Sequence, residues 1–183
     1  MGFKNEVSFE QIKDLVNYGL SKFYECDKEL LNYKTEKDAI AERCIVFHIG
    51  RYMLENMKSM PQLRGANLDC EYNRNFLHPK GKYKQVLENN KEKIEQMIPD
   101  LIIHKRKSNE ENLLVVEFKK GRPSKADKQK DIDKLCFFTD DEDIYKYKYG
   151  LFICLYKNNH AAVRVFEKGK EISSKHYDWK IES

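Results

Sequence analysis

The chain has 183 residues, of which 40% are hydrophobic and 35% charged, with a formal net charge of +4. That length suits one domain with its own core, residues 1–183, and clear apolar runs between the charges exclude disorder as a class. The apolar runs are far too short to span a bilayer, and "MGFKNEVSFEQ" has no apolar signal core, so the expectation is a cytoplasmic protein with no membrane partner.

The first predicted element follows Ser8. In "SFEQIKDLVNYGLSKFY" the residues Phe9, Ile12, Leu15 and Val16 fall at helical spacing, and residues 8–33 read as a helix or helix pair. Thr35 stands where it can cap a second helix, from Glu36 to about Met57, with apolar side chains at Ile40, Cys44, Phe47 and Tyr52, a set broad enough to be largely buried. Pro61 and Gly65 end it. "ANLDCEYN" alternates Leu68, Cys70 and Tyr72 with Asp69 and Glu71, which predicts a short strand. Its acids form either a second acidic pair at a site or, as the plainer reading, an outward-facing surface. A polar helix is expected at about 83–97, then strands at 100–105 and 113–119 joined by the hairpin loop "RKSNEEN". Ser124 is placed to cap a further helix with Ile132, Leu135 and Cys136 toward the core. The strands "YGLFICLYK" and "AAVRVFEK", joined through Asn158-Asn159-His160, complete the pattern, with the segment around Trp179 left either docked or frayed. The sum is an α/β fold around one mixed sheet.

Several chemistries are excluded by spacing. No two glycines stand as G-x-G, and neither a G-x-S-x-G elbow nor an H-E-x-x-H pair occurs. The five cysteines form no C-x-x-C pair, and the five histidines (His48, His78, His104, His160, His176) never lie within four residues of one another. From Lys119 to Lys134 seven basic residues face three acidic ones, which reads equally as a solvated helix face or as a surface for an anionic partner.

The stretch "IPDLIIHKRKSNEENLLVVEFKKG" behaves differently. It sets Asp100 at the mouth of one apolar run and Glu117 and Lys119 inside the end of another. Alternation along a strand points Val115, Glu117 and Lys119 to one face and Val116 and Phe118 to the other. A hairpin brings Asp100 beside that end, so three charges meet at one end of the sheet. Two neighbouring carboxylates repel unless a cation lies between them. Hard oxygen ligands suit Mg²⁺ or Mn²⁺, and the backbone carbonyl of Phe118 is a third oxygen at the same place. Lys119 then orients or helps deprotonate an attacking water, or stabilises charge developing on a phosphate.

This constellation resembles the PD-(D/E)XK nuclease superfamily. The matching residues are Pro99-Asp100 and Glu117-Phe118-Lys119, with 16 residues between the acids. A second D/E-x-K triplet, Asp178-Trp179-Lys180, does not sit in an apolar strand. The resemblance implies a restriction-endonuclease-like αβββαβ core, a central mixed sheet flanked by helices, over about residues 36–167, with an extra N-terminal helical segment at about 1–34. It implies a metal-dependent nuclease that hydrolyses phosphodiester bonds, with Asp100, Glu117 and Lys119 as catalytic residues. Asp100, Glu117, the Phe118 carbonyl and Glu42 of the preceding helix would hold the metal. Lys120, Arg122, Lys125, Lys128 and Gln129 are the expected nucleic-acid contacts, to DNA rather than RNA, with self-association as a further option. The rivals are an inactive nucleic-acid-binding or interaction module of the same fold, and a structural protein in which the charges form an ion-pair network.

Overall fold

The structure is a computed structural model and describes residues 2–32, 42–72, 83–88, 91–172 and 177–180. A short helix α1 (Phe3–Glu6) precedes α2 (Phe9–Cys26), whose start is set by a reciprocal cap. The Ser8 hydroxyl accepts from the Gln11 N–H at 3.3 Å, and the Gln11 side chain accepts from the Ser8 N–H at 2.8 Å. A 3-10 turn (Lys28–Leu31) follows, and then α3 (Glu42–Met57). The expected cap Thr35 and the apolar Ile40 lie outside the described residues. Helices α2 and α3 pack closely at Gly19, where an added Cβ would stand 2.5 Å from the Met53 Cγ.

The strands are β1 (Asn67–Cys70), β2 (Tyr83–Glu88), β3 (Lys91–Gln96), β4 (Leu101–His104), β5 (Leu114–Lys120), β6 (Tyr149–Tyr156), β7 (His160–Glu167), β8 (Lys170–Glu171) and β9 (Tyr177–Lys180), with α4 (Lys125–Thr139) between β5 and β6. Six of them form a sheet in the order β1-β4-β5-β6-β7-β8, and β9 also pairs with β7. The segment around Trp179 is thus docked, Trp179 pairing with Ala161. Neighbours are antiparallel except β5 and β6, which run parallel across α4. A parallel pair needs such a crossover, and its strands are covered on both faces. That is why "LLVVEF" and "YGLFICLY" are nearly continuous apolar runs rather than alternating ones.

The sheet separates two buried layers. Val116 and Phe118 join Ile12, Leu20, Ile49 and Met53 under α2 and α3. Val115 and Phe152 join Leu135, Phe138 and Tyr145 under α4. Ser124 caps α4 as expected, its hydroxyl accepting from the Asp127 N–H at 3.1 Å.

The polar helix expected at 83–97 is instead the hairpin β2–β3, a separate two-stranded sheet. Only Asn89-Asn90 separate the two strands, a pair with turn-forming chemistry. The register sets Lys84 opposite Glu95 and Glu88 opposite Lys91. Among the described residues no helix is long and apolar enough to cross a membrane.

Candidate functional site

The β4–β5 register pairs Leu101 with Val116, which brings Asp100, one residue earlier, to the level of Glu117. The Asp100 Oδ2 accepts from the Phe118 N–H at 2.7 Å. This Phe118 N–H contact is separate from the expected role of the Phe118 carbonyl as a metal ligand. Strand alternation turns Glu117 and Lys119 to the α4 face. Glu117 is fully buried there, although a lone buried charge costs several kcal/mol or more.

Helix α4 supplies the partner. The Lys134 Nζ lies 2.6 Å from the Glu117 Oε2, donates to the Ile98 carbonyl at 3.1 Å, and lies 3.7 Å from the Asp131 Oδ1. The other Asp131 oxygen is 3.1 Å from the Lys119 Nζ, and the Glu42 Oε2 is 3.3 Å from the same ammonium. Glu42, at the start of α3, closes the chain by accepting the Lys120 N–H on Oε1 at 3.0 Å. The side chains thus alternate in sign: Glu42, Lys119, Asp131, Lys134, Glu117, with Asp100 beside the last. Four carboxylates against two ammonium groups leave two negative charges in excess when all are ionised.

That excess shows in the proton affinities. Burial pushes the Glu117 carboxyl well above the usual range, the nearby Asp100 charge pushes it further, and Lys134 only partly opposes them. Burial also raises Asp100, against the Phe118 N–H and the two lysines. Burial would lower Lys119, but the Asp131 and Glu42 carboxylates outweigh it and hold its ammonium above the ordinary value.

The resulting arrangement fits a divalent cation on one specific ground. Among the described residues the buried Glu117 Oε1 has no hydrogen-bond donor. A buried carboxylate oxygen without a donor costs on the order of 1–3 kcal/mol, and a hard cation is the ligand such an oxygen prefers. Among the described residues no group of three or more Asp, Glu, His or Cys forms a ready-made metal centre. The acids at this site are interleaved with Lys119 and Lys134.

The structure brings together Asp100, Glu117, Lys119 and Glu42. Asp131 was not anticipated, and Lys134 was expected only on a solvated or phosphate-facing surface. Their signal was available: Asp131 stands four residues before Leu135 and seven before Phe138, on the buried stripe of α4, where an apolar residue is the rule. Lys120 and Arg122 line an open groove of about 560 Å³ at the cluster, together with Lys119, Lys130 and Lys134, and these five cations outnumber the three acids Glu42, Asp127 and Asp131 there. The Lys120 ammonium also reaches the Leu30 carbonyl at 3.3 Å. Lys125 and Gln129 are exposed on α4, Lys128 is half-buried, and none of the three lines that groove.

Asp69 does not face outward and does not join this cluster. It is held by the buried His104, its Oδ2 2.9 Å from the His104 Nε2, and by Arg106. Glu71 is exposed.

Comparison of the chain with protein-family models, curated proteins and solved structures found no match.

Proposed function

We propose that this chain is a divalent-metal-dependent nuclease of the restriction-endonuclease-like type, hydrolysing phosphodiester bonds in DNA in preference to RNA. The observation that carries the reading is the buried Glu117 Oε1, without a donor among the described residues, beside Asp100 in a cluster with excess negative charge. The order α3, β1, β4, β5, α4, β6 supports it, since this is an αβββαβ sequence of elements with the β2–β3 hairpin inserted.

In this reading Asp100 and Glu117 hold Mg²⁺ or Mn²⁺, with Glu42 as a further acid at the edge. The bound metal would polarise a phosphoryl oxygen and lower the pKa of a coordinated water. Asp100 is oriented by the Phe118 N–H, which fixes one carboxylate oxygen and leaves the other to bind. Lys119 stays protonated under its two carboxylate neighbours, so its role is to stabilise charge on the phosphate rather than to accept a proton. Asp131 positions that ammonium from α4. The basic groove holds the flanking phosphates.

A second reading is favoured by the 2.6 Å approach of Lys134 to Glu117, which already offsets the Glu117 charge. It is a catalytically inactive nucleic-acid-binding or interaction module of the same fold. Single-turnover incubation with plasmid, single-stranded DNA and RNA, in Mg²⁺, Mn²⁺ or EDTA, separates the two. The nuclease reading expects metal-dependent cleavage that Lys119→Ala slows by about two orders of magnitude or more. Intact substrates in every metal, or a Lys119→Ala protein that cleaves at the wild-type rate, would contradict it.

A further inference from the structure

A second cavity adjoins the acid cluster at Asp100. It has a volume of about 330 Å³ and lies between the first turns of α3 and the end of β1, lined by Arg43, Cys44, Val46, Phe47, Cys70, Glu71 and Asp100. Asp100 thus belongs both to this cavity and to the carboxylate cluster. Phe47 is 58% exposed, the most open of the large hydrophobic side chains described. It is held edge-on by His48, their ring centroids 5.7 Å apart at 86°. Arg43, one helical turn earlier on α3, is also exposed and stands 3.8 Å from Glu71. Cys70 turns toward α3, its Sγ 3.3 Å from where a Cβ on Gly50 would lie. Burial, with the Asp69, Glu71 and Asp100 charges, pushes its thiol up to about 11, so it remains neutral at physiological pH.

These features suit one class of ligand. The volume falls at the lower end for a small-molecule site, about 300 Å³ upward, and the walls combine Val46, two thiol groups and one open aromatic ring with the charged Arg43, Glu71 and Asp100. A nucleobase is a flat, mainly apolar group that stacks on such a ring with little regard to its identity. The charged end fits as well, because Arg43 stands at the rim as a partner for a phosphate. The cavity is also in the right place. The groove shares Glu42, Lys119, Asp131 and Lys134 with the cluster, and this cavity shares Asp100 with it. A strand laid along the groove with one phosphate at the cluster would carry its next nucleotide to Phe47.

We infer that the Phe47 cavity takes an unstacked nucleobase adjoining the reacting phosphate, so that the chain acts on single-stranded or locally opened nucleic acid. This rests on the nuclease reading for its orientation, while the cavity itself is tested by binding alone. A paired base inside a duplex cannot reach the cavity without unstacking, which costs a few kcal/mol. The site therefore selects for strands already free to splay.

The test measures binding of fluorescein-labelled oligothymidylate, oligouridylate and a blunt duplex of equal length, by anisotropy in EDTA, to the full chain and to Phe47→Ala and Phe47→Trp. Because Phe47 is exposed, both variants should keep the wild-type melting temperature. The inference expects Phe47→Ala to weaken binding of at least one single strand by about tenfold, with the duplex unchanged and Phe47→Trp restoring affinity. Unchanged single-strand binding in Phe47→Ala, or equal loss for single strand and duplex, would overturn it. Cleavage with Mn²⁺ is measured in parallel. Phe47-dependent binding without any cleavage would remove the nuclease reading and leave the base site. Cleavage indifferent to Phe47 at subsaturating substrate would remove the base site and leave the nuclease.

Discussion

Two groups of acids in this molecule have opposite fates. Asp69 and Asp27 are surrounded by donors. Asp69 takes hydrogen bonds from His104 and Arg106, and Asp27 takes them from the Tyr52 hydroxyl at 2.7 Å and from His48 at 2.9 Å, with Arg51 at 3.7 Å. Burial pushes each carboxyl up, but the donors outweigh it and hold both below the usual carboxylate range. Glu117 and Asp100 end above that range because burial wins and each adds to a shared negative charge. The groups differ in both respects: Glu117 is fully buried whereas Asp27 and Asp69 are only partly so, and only the latter two are well supplied with donors. A carboxylate saturated by its neighbours pins the fold together, and one left short has capacity for a ligand.

The two groups should differ most in chemistry. Glu117→Gln or Asp100→Asn should cut metal-dependent cleavage by at least about 10²–10³-fold. Asp69→Asn and Asp27→Asn should leave the single-turnover rate per folded molecule unchanged. If the Asp69 variant loses activity as Glu117→Gln does, the two groups do not differ in the way proposed.

Folding stability should rank the same residues in reverse. Asp69→Ala leaves the buried His104 and the Arg106 guanidinium without their acceptor, at a cost of about 2–3 kcal/mol, the scale for stranding a charged hydrogen-bond partner. Glu117→Gln removes a carboxylate already short of donors and should cost less. Urea unfolding of both variants gives the ranking, and a larger loss in Glu117→Gln would favour the structural ion-pair reading, in which Lys134 depends on that charge.

The pH dependence should separate the groups by sign. Glu117 and Asp100 bind protons more tightly folded than unfolded. Their contribution is complete below the ordinary carboxylate pKa and is lost as pH rises through their raised values. Asp69 and Asp27 contribute above the ordinary value and lose that contribution as pH falls through their lowered values. Melting temperature against pH should therefore flatten on the higher-pH side in Glu117→Gln and on the acidic side in Asp69→Asn.

A smaller change is expected at the groove. Arg122→Ala and Lys130→Ala each remove one cation from its lining, and for each phosphate no longer neutralised the slope of log affinity against log salt should shrink by roughly 0.7 on a single strand. Lys125→Ala, outside the lining, should change the slope less. Equal changes at all three positions would make the groove no more than a general basic face.

The sequence placed the two apolar strands and their charged ends correctly. A run apolar on both faces belongs to a covered strand, where Glu117 and Lys119 need partners, and Pro99-Asp100 is the chain's sole Pro-Asp pair. Ser8 and Ser124 were legible as caps because the capping bond is local. The β2–β3 hairpin was not, since a charge-rich segment with few apolar residues carries little periodicity to report the pairing. Asp69 read as outward-facing because alternation says which residues share a face, not what covers that face. The role of Lys134 needed tertiary structure, although Asp131 on the buried stripe of α4 marked where a polar partner had to be found.

Whether the unsatisfied oxygen of Glu117 belongs to a metal site is the central question. It is answered by the melting temperature of the wild type and of Glu117→Gln titrated with Mn²⁺ up to millimolar concentration, where binding to the folded state alone raises stability by mass action. A metal site at Glu117 predicts a saturable rise in the wild type that disappears in Glu117→Gln. No rise in the wild type, or an equal rise in both proteins, would contradict it.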